Sequence, residues 1–144
     1  GLVCRVQEIN LRTTTVFTRS EKYIILPNSD LTRLQLINWT HNKKASRFDV
    51  TVGVDYNSDI NLVMKLMKEA AVAQENILKI PEPFVRFEEY GDSRINFTVF
   101  FWTENVFRVE NILSNTRIKI FELFRENKII IPFPQRVIHL SKEI

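Results

Sequence analysis

The sequence predicts an α+β chain in two parts: a short all-β segment over residues 1–46, and a unit of order β-α-β-β-α-β over residues 47–144. Three observations carry this. Near Arg47 the hydrophobic pattern changes from short β-branched runs to period-2 segments alternating with stripes at spacings of three and four. Charge changes at the same place, because residues 1–47 hold eight Lys or Arg against three acids, a net +5, which leaves −2 for the rest of a chain whose total is +3. Between the parts lies a polar stretch without periodicity, His41, Asn42, Lys43, Lys44, Ala45 and Ser46, which reads as a connector.

In the first part, Val3, Cys4, Val6, Ile9 and Leu11 form one strand-like run, Thr13, Thr14, Thr15 and Val16 a second, and Tyr23, Ile24, Ile25 and Leu26 a third. Pro27, Asn28, Ser29 and Asp30 end the third strand in a turn, since proline offers no ladder donor and Asn and Ser bond their own backbone. A fourth strand is expected over 34–39. Four strands are few for a closed small barrel, so a further strand is expected upstream of Gly1, leaving an unpaired edge over 2–11 that another copy can pair with. Gly1 stands where an initiating Met would, and the chain reads as a piece of something longer.

In the second part, Phe48, Val50, Val52, Val54 and Tyr56 alternate with polar residues in a half-buried strand. Ser58 is the expected N-cap, with Asp59 in the first turn, of a helix to about residue 76 whose buried stripe is Ile60, Val63, Met64, Met67 and Ala71. Residues 84–90 and 95–102 form a hairpin through Gly91, Asp92 and Ser93. A second helix is expected over 106–127, burying Val109, Ile112, Leu113, Ile120, Leu123 and Phe124, with Asn127 as a left-handed C-terminal residue. Pro132 and Pro134 precede a last strand of Arg136, Val137, Ile138, His139 and Leu140. This order is the split βαβ pattern of ferredoxin-like domains.

Several classes of function find little support. The longest stretches free of charge, 34–42 and 95–103, fall far short of the about 20 apolar residues of a spanning helix. Cys4, the one cysteine, reads as a small apolar filler, and no cysteine or histidine cluster offers a metal framework, so no metal or cofactor is expected. An enzyme is not expected either. His41 and His139 lack a Ser, Cys or acidic partner at a suggestive spacing, and strand alternation sends Glu88 and Glu89 to opposite faces. With only Gly1, Gly53 and Gly91 there is no phosphate-binding loop. The basic first part raises RNA binding as a rival, but residues 94–102 lack the glycine and the cations of an RNA-recognition strand, so no nucleic-acid partner is expected. A small-molecule regulatory module is a third reading.

Five clusters stand in a fixed order: Gly1, Val3, Val6, Ile9, Arg12, Thr13 and Thr14; Ile25-Leu26-Pro27-Asn28-Ser29; Asn38-Trp39-Thr40; the run from Val52 and Gly53 to Ser58 and Asp59; and Ile131-Pro132-Phe133-Pro134-Gln135. Over nearly its whole length the chain thereby resembles the cytoplasmic region of small-conductance mechanosensitive channels, the MscS-like family. The resemblance implies a small Sm-like β domain with its first strand missing, just below the membrane, then a ferredoxin-like α/β domain. It also implies a tension-gated, osmoprotective inner-membrane channel, with this portion on the cytoplasmic side. Seven copies would enclose a hollow cage with side portals beneath a pore helix encoded upstream. Pro27, Asn28 and Ser29 would lie near the lower end of that helix, and Arg136, Val137, Ile138, His139 and Leu140 would join their copies in a parallel barrel. The +5 segment would face anionic lipid. The chain departs from the family pattern in lacking the Gly- and Ala-rich pore helix and in carrying Ser29 where some relatives have glycine.

Overall fold

The computed structural model describes residues 1–39 and 45–140; Thr40 and residues 41–44, the first four of the expected connector, lie outside these. The first part forms one antiparallel sheet in the order β1-β2-β3, from β1 (Cys4–Ile9), β2 (Thr13–Thr18) and β3 (Tyr23–Pro27). β-Branched side chains favour the extended backbone of β2, which alternates half-buried and buried positions. The β2–β3 turn closes through Thr18, whose hydroxyl accepts from the Lys22 amide, with Glu21 at φ 62. β1 lies on an edge, as the unpaired strand over 2–11 was expected to, with a bulge between Val6 and Glu8.

Two expectations here are corrected. The turn after β3 opens a short helix, α1 (Asn28–Arg33), because extended Pro27 (ψ 137) serves as its N-cap residue and a proline fits a helix start. The strand expected over 34–39 does not form: Leu34, Leu36 and Ile37 are exposed, and among the described residues no strand pairs with this segment. Alternating apolar residues make a strand only where a ladder partner is available, and periodicity cannot report one.

The second part contains β4 (Ser46–Val54), α2 (Ile60–Val72), β5 (Phe84–Tyr90), β6 (Ile95–Thr103) and α3 (Val109–Glu126), with sheet order β4-β6-β5. β6 is central, and Phe97, Val99 and Phe101 on it are fully buried. Both helices pack against one sheet face, enclosing a core that includes Val54, Val63, Met67, Ile120 and Phe124. In α2, Asp59 rather than Ser58 is the N-cap, its carboxylate accepting from the Leu62 amide at 3.1 Å. Asp59→Ala is expected to cost about 1 kcal/mol in urea unfolding. The stripe turns toward Leu66 and Ala70 and leaves Ile60, the first residue of the helix, at 41% exposure. In α3 the left-handed position falls on Lys128 (φ 57); Asn127 stays at φ −96, with its side-chain amide donating to the Leu123 carbonyl at 2.8 Å.

The last strand of the split pattern is also corrected. Residues 131–140 form no strand, and among the described residues the sheet has three strands. One backbone bond, Asp55 N–H to the Ile130 carbonyl at 2.9 Å, places the chain beside the end of β4. Pro132 and Pro134 then supply no ladder donors.

Candidate functional site

The turn after β3 is built around one side chain. Asn28 is half-buried, and its backbone N–H donates to the Arg12 carbonyl at 2.9 Å. Its Oδ1 accepts from the Thr14 hydroxyl at 2.7 Å, while its Nδ2 donates to the carbonyls of Asn10 at 3.0 Å and Leu11 at 3.3 Å. A donor and an acceptor on one short side chain thus fasten the β1–β2 hairpin tip to the start of α1. Pro27 is exposed, and Ser29 has helical backbone, so nothing at this position calls for glycine. The tip itself is open, with Leu11 at 95% exposure beside Arg12.

The other expected group, Arg136, Val137, Ile138, His139 and Leu140, is exposed throughout, and the segment before it is tied to the β5–β6 turn by the Gln135 N–H donating to Ser93 Oγ. The two groups therefore rest on different elements. His139 is exposed, and His41 lies outside the described residues. Cys4 is half-buried on β1.

Strand alternation misplaces one pair. A bulge between Phe87 and Glu89 resets the register, so that Glu88 and Glu89 both line an open depression of about 440 Å³ on the sheet face away from the helices. Asp49, Thr51, Asn96, Thr98 and Phe100 complete it; the Thr51 and Thr98 hydroxyls bond each other at 2.8 Å, and Asn96 donates to Glu89 at 2.9 Å. Among the described residues no three His, Cys, Asp or Glu side chains are grouped to hold a metal ion.

Sequence reading missed the joint between the two sheets. Arg19, just beyond β2, donates from Nε to the Phe107 carbonyl at 2.9 Å and from Nη2 to the Val106 carbonyl at 3.0 Å, and it pairs with Glu110 in the first turn of α3. Phe107 stacks on Phe17 with centroids 6.1 Å apart, and the Arg5 guanidinium lies 4.7 Å from the Phe107 ring centre. Arg108 reaches Glu21 at 3.6 Å. Trp39 meets Phe48 edge-on at 5.9 Å beside Arg19. Partial burial, and then neighbouring Arg108, hold the Arg19 guanidinium below its ordinary pKa. These partners lie 87 and 88 residues away from Arg19, beyond the reach of any local pattern.

The geometry thus defines a two-unit α+β chain whose most developed polar constructions are a stapled turn and a clasped joint. Residues 48–131 match the model of the C-terminal domain of the mechanosensitive ion channel MscS, and residues 1–41 match that of the mechanosensitive ion channel β-domain. The chain therefore belongs to the MscS family of mechanosensitive ion channels. It is 30% identical over 138 residues to an MscS-family protein of Buchnera aphidicola (96% of this chain, 45% of that one). It is also 30% identical over 144 residues to a small-conductance mechanosensitive channel of Edwardsiella ictaluri (100% and 50%). The crystal structure of Helicobacter pylori MscS in a closed state superposes with a TM-score of 0.84 at 29% identity, over 99% of this chain and 56% of that one. The chain thus spans about half the length of these relatives. Among the described residues no helix is long and apolar enough to cross a membrane.

Proposed function

We propose that this chain is the cytoplasmic vestibule portion of a tension-gated inner-membrane channel that relieves osmotic pressure, working beneath a pore helix supplied from outside these 144 residues. Residues 1–46 act as the Sm-like β domain next to the bilayer and 47–144 as the α/β wall of a chamber closed by a ring of copies, seven in all. The observation that carries this reading is the likeness to H. pylori MscS across both units. In this arrangement the Asn28 staple sits under the pore helix and stiffens the turn that meets it. Val137, Ile138 and Leu140, at 79–90% exposure, pack against the same residues of neighbouring copies; an exposed apolar group of this kind is ordinarily covered by a partner.

The test is survival. A host lacking its own mechanosensitive channels should survive hypo-osmotic shock when it expresses a longer protein carrying this chain below a membrane-spanning pore segment. Survival no better than the empty host, with the protein present in its membrane, overturns the reading. The +5 segment gains about 1 kcal/mol per well-placed cation near anionic lipid, enough to orient the chain but not to anchor it. The chain alone is therefore expected to sediment only weakly with anionic vesicles and to be released by salt; tight, salt-insensitive binding contradicts this.

A further inference from the structure

Among the described residues, no backbone-to-backbone hydrogen bond connects the first sheet to the second unit. What crosses is side chains, and nearly all of them are charged or aromatic. All three guanidinium nitrogens of Arg19 are engaged, two on the carbonyls just before α3 and one on Glu110. The Phe107 ring beside them is flanked by Arg5 and Arg108 at 4.7 and 5.4 Å and backed by Phe17. Arg5 and Arg108 therefore gather around one ring, Arg19 lies at the Phe107 backbone carbonyl and over the Trp39 ring, and two carboxylates, Glu21 and Glu110, are the counterions. Arg19 is 23% exposed while Glu110, Glu21 and Arg108 are 55%, 74% and 46% exposed, so salt reaches every pair.

We propose that this clasp is an ionic-strength-sensitive joint: attraction of Arg19 and Arg108 for Glu110 and Glu21 fixes the angle between the two units at low salt, and screening frees it. The attractive pairs are in or near contact, whereas Arg5 and Arg108 sit against the Phe107 ring and Arg19 over that of Trp39. The attractions dominate, and adding salt removes more attraction than repulsion. The carbonyl hydrogen bonds of Arg19 and the Phe17–Phe107 stack are insensitive to screening, so salt loosens the joint without separating the units. If the chain works as proposed above, the link between its bilayer-proximal β unit and its chamber wall softens as the solution inside the cage becomes more saline. That consequence rests on the channel reading; the joint itself does not.

The test uses the soluble chain without any membrane, so its outcome is independent of whether the protein gates. Spin labels at Gln7→Cys on β1 and Ser114→Cys on α3, in a Cys4→Ser background diluted with excess unlabelled chain, report the distance between the units. Raising salt from about 0.1 M to about 1 M shortens the screening length from about 10 Å to about 3 Å. The distance distribution is expected to be narrow at low salt and to broaden at high salt. Glu110→Gln keeps the carbonyl bonds and removes an ion pair, so it should be broader at low salt and respond less. Phe107→Leu keeps the charges and removes the ring, so it should broaden the distribution yet retain its salt response. Unchanged far-ultraviolet circular dichroism establishes that each variant is folded. A wild-type distribution that is unaffected or narrowed by salt, or a Glu110→Gln variant indistinguishable from wild type, overturns the proposal.

Discussion

Replacing Phe97 with alanine is expected to lower the stability of the chain by about 3–5 kcal/mol. Phe97 is fully buried at the centre of β6, with Val52 of β4 and Phe87 of β5 directly across from it, and its ring meets that of Phe87 edge to face at 5.1 Å. The surrounding side chains come from a sheet and two helices, which cannot close together on the space left behind. Chemical unfolding followed by circular dichroism reads the change. A loss under about 1 kcal/mol would mean that the site collapses freely and that the core is far less constrained than its burial implies.

Asn28→Ala is expected to cost about 2–3 kcal/mol, confined to the first sheet. Three hydrogen bonds disappear with the amide. The Thr14 hydroxyl, on a residue only 2% exposed, loses its acceptor, and an unsatisfied buried donor costs more than the mean worth of a bond. Asn28→Asp should recover only part of the loss, because a carboxylate still accepts from Thr14 but turns a second acceptor toward the Asn10 and Leu11 carbonyls. Amide hydrogen exchange at the β1–β2 tip, compared with exchange in β6, gives both the size and the location. Equal acceleration in both sheets would show that Asn28 supports the whole chain rather than the turn.

The parts of the fold legible in the sequence are those in which one residue's surroundings follow from its near neighbours. The α2 and α3 stripes and the β5–β6 hairpin have a fixed period, so Val63, Met67, Ile112 and Phe124 could be placed in the core by counting. The turn at Pro27 and Asn28 was visible as a place; that its amide would tie a hairpin 14 to 18 residues earlier in the chain was not, because hydrogen-bond reach has no sequence period. Glu88 and Glu89 fall together because one bulge shifts a register, which alternation cannot foresee. Segment 34–39 has the composition of a strand without a partner strand. Arg19 was visible only as one of eight cations; its role depends on α3 arriving beside β2, a tertiary event.

The most direct test of the central claim, that this chain serves as the vestibule of a tension-gated channel, is current recording from an excised membrane patch. The patch should contain a longer protein that carries these residues below a membrane-spanning segment, and suction supplies graded tension. The account predicts discrete openings whose probability rises with suction and that vanish when the portion carrying residues 1–144 is deleted. A protein present in the patch that passes no current at tensions approaching membrane rupture would contradict it.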